Sequence, residues 1–173
     1  YMKQKGTSGF TLVELLVVIT IIAILAGIVI ASVSGSKKNT NYLKRVSELG
    51  QMNLVIQRYN VAVGKYPPGK VPQWTTTGTC TALTSAIRVN YIFYVVPTYI
   101  PSLPVDIKKA TDCSVGPMYA YKSDGIDYKL IIYNNQEDKN TVLKRNPELV
   151  DPVRGSTSTT PSFGYWTPGA ASW

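Results

Sequence analysis

The sequence predicts an α+β fold in which one long N-terminal helix packs against a small antiparallel β-sheet. Three observations predict it: an apolar block near the N-terminus, an apolar stripe at helical spacing after that block, and strand-like runs separated by turn residues later in the chain. With 173 residues, the chain is long enough for one domain of ordinary size.

The apolar block covers residues 10–33, where 19 of 24 side chains are apolar and Glu14 carries the one charge. As a helix, the block would be about 36 Å long, which is enough to cross the hydrocarbon core of a membrane. A secretory signal peptide fits poorly, because the run is longer than a usual signal core and is followed by only a mediocre cleavage site. A plain transmembrane anchor, with Lys3 and Lys5 on the cytoplasmic side, is the alternative.

Neither alternative explains Glu14. A carboxylate near the start of an apolar helix costs about 2–3 kcal/mol to insert into a membrane and needs a partner. Lys3 and Lys5 lie outside the apolar run. A new α-amino group would be better placed if the chain were cut immediately before Phe10.

Residues 9–18 read Gly-Phe-Thr-Leu-Val-Glu-Leu-Leu-Val-Val and resemble the prepilin signature of type IV pilins and type II secretion pseudopilins. In that family a membrane peptidase cleaves after the glycine and methylates the new N-terminal residue. The glutamate at the fifth position of the mature chain pairs with the terminal amine of a neighbouring subunit. The resemblance implies cleavage after Gly9, N-methylation of Phe10 and an assembly role for Glu14. It is close over about residues 6–66 and looser beyond.

The apolar stripe predicts that the helix continues to Val63. Its members recur at three- and four-residue spacing and are Leu43, Val46, Leu49, Met52, Ile56, Tyr59 and Val63. Gly64, followed by the Pro-Pro-Gly sequence of residues 67–69, should end the helix. Lys44 and Glu48 lie one turn apart, so an ion pair between them is expected.

The remainder is predicted to form a head with a small sheet. A β-hairpin is expected from residues 117–122 and 127–133, because the Ser-Asp-Gly-Ile sequence between them favours a turn. Residues 163–166 would add a third antiparallel strand. Residues 81–90 indicate a short helix, and residues 134–161 a loop-rich connection.

This helix-plus-sheet arrangement agrees with the type IV pilin-like fold that the resemblance implies. The chain then divides into four segments, which are a cleaved leader (1–9), the transmembrane or filament-core half of the helix (10–36), its amphipathic half (37–65) and a globular head (66–173).

Cys80 and Cys113 are the only two cysteines. An exported head lies in an oxidising compartment, where two cysteines can form only one intramolecular disulfide. Closing a loop of about 34 residues would stabilise the fold by about 3–4 kcal/mol in the chain-entropy model. We therefore predict a Cys80–Cys113 disulfide, with two buried free thiols as the alternative.

The composition argues against catalysis and cofactors. The chain has no histidine, which excludes His-based triads and His metal sites, and it contains no phosphate-binding loop or nucleophile elbow. An oxygen-rich stretch between Asp124 and Asp138 could supply calcium ligands, but it lacks EF-hand spacing, and turn formation explains its residues equally well. We therefore assign no metal, no cofactor and no enzymatic activity.

The charge of the chain allows DNA as a partner without requiring it. The formal net charge of +8 falls to +6 once Lys3 and Lys5 leave with the leader. A filament would multiply any weak basic patch, yet the remaining lysines and arginines are mostly scattered. Ordinary surface charge is the simpler interpretation, and DNA binding remains unproven.

The resemblance implies a structural subunit of a type IV pilus filament, built as a helical homo-oligomer through the hydrophobic helix. Its implied partners are a prepilin peptidase and an assembly platform in the inner membrane. The precursor would be a single-pass protein of that membrane, and the subunit would lie in a cell-surface filament serving adhesion, motility or secretion. One alternative is a pseudopilin of a type II secretion system, and another is a membrane-tethered module that binds DNA or a surface.

Overall fold

The structure is a computed structural model. It describes residues 10–69, 75–76, 90–106, 117–135, 137–155 and 159–173. The chain divides into two compact units, Tyr1–Asn39 and Thr40–Trp173. The short helix predicted at residues 81–90 lies outside the described residues, except for Asn90, which is not helical.

One long helix, α1, covers Leu12–Val63. It begins two residues after the expected start at Phe10 and ends at the predicted residue. Gly64 has a φ of 77°, in the left-handed region that glycine adopts readily, and its N–H donates to the carbonyl of Asn60 at 2.7 Å. The proline pair that follows prevents continuation of the helix.

A four-stranded antiparallel sheet confirms the α+β prediction. Its strands are β1 (Thr75–Thr76), β2 (Met118–Ser123), β3 (Tyr128–Tyr133) and β4 (Phe163–Trp166), and they lie in that order. The observed β2 is shifted by one residue at both ends from the prediction, β3 begins one residue later than predicted, and β4 has its predicted bounds. Strand β1 has only two residues, too few for an alternating pattern to be visible in the sequence.

The β2–β3 turn forms as predicted, with Ser123 paired to Tyr128 across it. The Asp124 carboxylate accepts the N–H groups of Ile126 and Asp127 at 2.9 and 2.7 Å, and Gly125 has a φ of 92°. The hydrogen bond from Asp127 is the main reason that the pKa of Asp124 is lowered. The side chain of Asp124 therefore closes the turn, and an Asp-Gly sequence favours such a turn.

The second half of α1 and the sheet share one hydrophobic core. The predicted stripe contributes Leu49, Met52 and Ile56, all fully buried. The stripe is wrong at Leu43 and Val63, which are each about half exposed. Leu43 is rotated by about 120° from Leu49 around the helix axis, and Val63 is the last residue of the helix. The sheet contributes a row of side chains to the same core, namely Tyr119, Tyr121, Tyr128, Leu130, Ile132 and Phe163.

The loop prediction for residues 134–161 is wrong in part. A second helix, α2, covers Lys139–Arg145, and a single 3-10 turn follows at Pro147–Leu149. With seven residues, α2 is too short to show a helical apolar repeat, and Val142 is its one buried residue.

Candidate functional site

The first part of α1 presents apolar side chains to its surroundings on every side. The large apolar residues from Phe10 to Ile28 are all between 48% and 88% exposed. Thr20, a polar residue within this run, donates its hydroxyl to the carbonyl of Val17 at 2.7 Å, so the helix itself satisfies it. Contiguous apolar surface of this kind is typical of a site for protein or membrane contact.

Glu14 closes the N-terminus of α1 together with Thr11. One carboxylate oxygen of Glu14 accepts the backbone N–H of Thr11 at 2.8 Å and its hydroxyl at 2.7 Å. The N–H of Glu14 donates to the hydroxyl oxygen of Thr11 at 3.3 Å. This reciprocal arrangement is a capping box, which satisfies N–H groups that a helix start otherwise leaves unpaired. Glu14 therefore has a partner in its own chain, Thr11, which would be the second residue after a cut before Phe10.

The other predicted site residues are not tested by the structure. Gly9, Cys80 and Cys113 lie outside the described residues. Phe10 is described and is 88% exposed, at the junction where cleavage is predicted. Cleavage after Gly9 and the Cys80–Cys113 disulfide therefore stay predictions.

A buried ionic cluster around Arg45 was missed by the sequence analysis. The guanidinium is fully buried, and its Nε and Nη2 donate to the two carboxylate oxygens of Asp106 at 2.7 and 3.0 Å. Its Nη1 donates to Asp138 at 2.9 Å and to Glu137 at 3.3 Å. Burial alone would lower the pKa of Arg45, but these carboxylates outweigh it and raise the pKa. Arg45 lies four residues before Leu49, on the side of the helix that the buried stripe members share, and this position is the signal in the sequence. The carboxylates that pair with Arg45 are distant along the chain and are not visible there.

A second buried cluster lies on the far side of the sheet. The Lys129 ammonium donates to Asp151 at 2.8 Å and to the backbone oxygens of Ala171 and Trp173 at 3.0 Å each. Burial lowers the pKa of Lys129, and the hydrogen bond with Asp151 only partly offsets it. Arg154 pairs with the second oxygen of Asp151 at 3.2 Å. These contacts attach the C-terminal residues to β3.

The oxygen-rich stretch considered for calcium is divided between separate places. Asp124 closes the β2–β3 turn, whereas Glu137 and Asp138 bind Arg45. Asn135 donates its side-chain amide to Asp138 at 2.8 Å. Across the described ranges, no three acidic or cysteine side chains are grouped so that they could hold a metal ion.

Comparison with known proteins bears on the N-terminal segment first. The family described as "Prokaryotic N-terminal methylation motif" matches residues 4–30. This range includes Gly9, Phe10 and Glu14, the residues on which the prepilin resemblance rests.

Several curated proteins are similar to part of the chain, and all are named type II secretion system core protein G. The protein of Aeromonas hydrophila is 35% identical over 66 residues, covering 38% of this chain and 46% of its own length. That of Klebsiella michiganensis is 33% identical with the same coverage, and that of Vibrio cholerae is 31% identical over 65 residues, or 38% and 44%. The chain thus spans less than half the length of these relatives. No solved structure matches it.

The fold and the motif define a class, that of prepilin-like subunits with a long N-terminal helix and a small antiparallel sheet. Together with the secretion proteins that share its sequence, they support membership of the type IV pilin and pseudopilin family.

The prepilin motif implies a precursor that is anchored in a membrane. In the part of α1 whose side chains are described, no stretch meets the length and hydropathy required of a membrane span.

Proposed function

We propose that the chain is a pseudopilin-type subunit of a type II secretion system, which polymerises through the first half of α1. The exposed apolar surface from Phe10 to Ile28 is the observation that carries the proposal. Keeping one large apolar side chain out of water contributes about 1.5–3 kcal/mol, so this segment must be covered either by lipid or by its equivalents in neighbouring subunits. The relatives are named for secretion, which favours a secretion pseudopilus over the surface pilus expected from the resemblance alone.

Glu14 gives this assembly its register. Cleavage after Gly9 would leave an α-amino group on Phe10, one residue before the N–H that Glu14 accepts in the capping box. In an apolar environment an ammonium and a carboxylate are each costly unless paired. A neighbouring subunit whose Phe10 amine meets Glu14 removes both costs, whereas a shifted neighbour removes neither.

The precursor would therefore need a prepilin peptidase, a membrane that stores the apolar helix, and an assembly platform that extracts it. The first half of α1 would exchange lipid for the helices of other subunits. The same apolar surface would serve both states, since neither environment contains water to solvate it.

Mass spectrometry of the mature N-terminus tests the proposal. We expect the first residue to be Phe10 carrying an N-methyl group. An intact leader in cells that express the complete secretion system would overturn the assignment. A deletion strain separates the two filament types, because loss of secreted substrates indicates a pseudopilus and loss of surface filaments with normal secretion indicates a pilus.

A further inference from the structure

A cleft of about 370 Å³ lies where the end of α1 meets the β2–β3 turn. Its walls are the last turns of the helix, with Tyr59 and Val63, the segment of residues 65–69, and the turn of residues 123–125. All of these residues belong to the second compact unit, Thr40–Trp173. The volume of the cleft is within the range of about 300–1,000 Å³ that is typical of small-ligand sites.

Hydrogen bonds hold the walls of this cleft together. The N–H of Tyr66 donates to the carbonyl of Gly125 at 2.9 Å, and the N–H of Gly69 donates to the carbonyl of Ser123 at 3.3 Å. The two backbones approach so closely that a Cβ at Gly69 would lie 2.7 Å from the backbone nitrogen of Ser123. The cleft is therefore formed before a ligand arrives, and binding would not have to order its walls.

Two tyrosine rings of the cleft are fixed by aromatic neighbours. The ring of Tyr59 packs against Tyr99 with centroids 5.6 Å apart, and that of Tyr66 packs against Tyr128 at 4.6 Å. Tyr59 and Tyr66 are each partly exposed, and neither hydroxyl forms a hydrogen bond with another described residue. Each ring thus offers fixed apolar surface together with a hydroxyl that a ligand can use.

The charged groups of the cleft supply both a donor and an acceptor. Lys65 is exposed and brings an ammonium group. The N–H groups of Ile126 and Asp127 both donate to Oδ1 of Asp124, so the second oxygen of that carboxylate is available to a ligand. With one cation and one anion, the residues that line the cleft carry no net formal charge.

We propose that this cleft binds a neutral saccharide, which goes beyond the proposed function. The C–H surface of a sugar ring would pack on Tyr59 and Tyr66, and its hydroxyls, which both donate and accept, would meet Lys65 and Asp124. A purely apolar ligand would cover these two charges without pairing them, which is costly. A ligand of either charge would meet a like charge at one of them, which selects against it.

Calorimetric titration of the full chain tests this site. The protein is kept in a mild detergent without a sugar headgroup and is titrated with the neutral trisaccharides cellotriose, maltotriose and chitotriose, and with the anionic trigalacturonate. We expect at least one neutral trisaccharide to bind, and to bind about tenfold or more tightly than trigalacturonate. Binding of none of the neutral sugars, or tighter binding of trigalacturonate, would overturn the proposal.

A matched pair of substitutions places the binding in the cleft. Val63→Arg puts a long cation into the cleft, whereas Val61→Arg makes the same change at a position that is 88% exposed and does not line it. We expect Val63→Arg to weaken saccharide binding about tenfold and Val61→Arg to leave it unchanged. Lys65→Ala, which removes a donor at an exposed position, should weaken binding severalfold, and circular dichroism checks that each variant is folded. Wild-type affinity in both Val63→Arg and Lys65→Ala, or equal losses in the two arginine variants, would show that the cleft is not the site.

Discussion

Arg45 and Asp106 form a two-point contact in which both carboxylate oxygens of Asp106 accept from one buried guanidinium. The contact connects α1 to the segment of residues 90–106, which has no regular secondary structure of its own. Asp138, on the far side of the guanidinium, connects α1 to the residues that precede α2. One side chain thus attaches two irregular segments to the helix.

The first prediction concerns this contact. Arg45→Met should lower the free energy of unfolding by about 3–5 kcal/mol, because it leaves buried carboxylates without their cation. The measurement is equilibrium urea unfolding of the protein in mild detergent. Lys44→Met is the matched control, since Lys44 forms only an exposed pair with Glu48 at 3.7 Å and should contribute less than about 1 kcal/mol. Equal stability of the two variants would contradict the structural role of Arg45.

The second prediction concerns the attachment of the C-terminal residues. Lys129→Met removes the donor shared by Asp151, Ala171 and Trp173, and should destabilise the fold by about 3 kcal/mol. Limited proteolysis should then cut the chain after Arg154 faster than in the wild type. Lys122→Met serves as the comparison, because its ammonium only lies over the Trp173 ring at 4.7 Å. Unchanged proteolysis of the Lys129 variant would show that other contacts hold the C-terminal residues.

The third prediction compares two glycines. A Cβ at Gly164 in β4 would lie 2.0 Å from the backbone carbonyl oxygen of Leu130 in β3. Such a clash can be relieved only if one of the two strands moves. Gly164→Ala should therefore cost about 1–3 kcal/mol or more. Gly50→Ala, in a helix with open space around it, should stabilise the subunit by about 1 kcal/mol. Thermal unfolding of both variants checks the opposite signs, and a shift of the same sign in both would disprove the argument.

Features that arise from local chemistry could be predicted from the sequence. The end of α1 follows from Gly64 and the two prolines, and the β2–β3 turn follows from Asp124 and Gly125. Strand β4 was predicted with its observed bounds, since aromatic residues with β-propensity follow a proline-containing loop.

Features that depend on distant partners could not be predicted. Arg45 is buried because Asp106 and Asp138 reach it from positions 61 and 93 residues away. Lys129 is buried in the same way, by residues 22 to 44 positions further along the chain. In the sequence alone each is an ordinary basic residue, for which surface charge is the simplest prediction. The partner of Glu14 was also missed, although the Thr-x-x-Glu spacing of a capping box is visible in the sequence.

The fourth prediction concerns assembly. Glu14→Ala should leave cleavage after Gly9 intact but abolish the polymer, because the Phe10 amine of a neighbour then has no carboxylate in the apolar core. Gly9→Val is the complementary variant. It should retain the leader, so that neither cleavage nor polymer formation takes place. Immunoblotting for processed and sheared polymer fractions separates the two effects. Normal polymer from the Glu14 variant would disprove the assembly role.

The fifth prediction is loss of stability in alkali, caused by the buried tyrosines. Burial raises the pKa of Tyr128 to about 12, and it also raises the pKa values of Tyr91, Tyr119 and Tyr121 above the usual 10.0. Above about pH 10 an unfolded tyrosine loses its proton while the folded one keeps it, so the free energy of unfolding falls as the pH rises. The lowered pKa of Lys129 acts in the opposite direction, but only below the usual lysine pKa of about 10.4.

Tyrosinate absorbance and circular dichroism, recorded together during an alkaline titration, check this prediction. We expect the buried tyrosines to ionise cooperatively with unfolding between about pH 10 and 12. Tyr128→Phe removes one ionisable group, so the slope of stability against pH should become shallower even though the hydrogen bond to Asn53 is lost. If all tyrosines ionised near pH 10 while the folded signal persisted, the tyrosine side chains would be accessible to solvent, and the core in which α1 packs on β2 and β3 would be wrong.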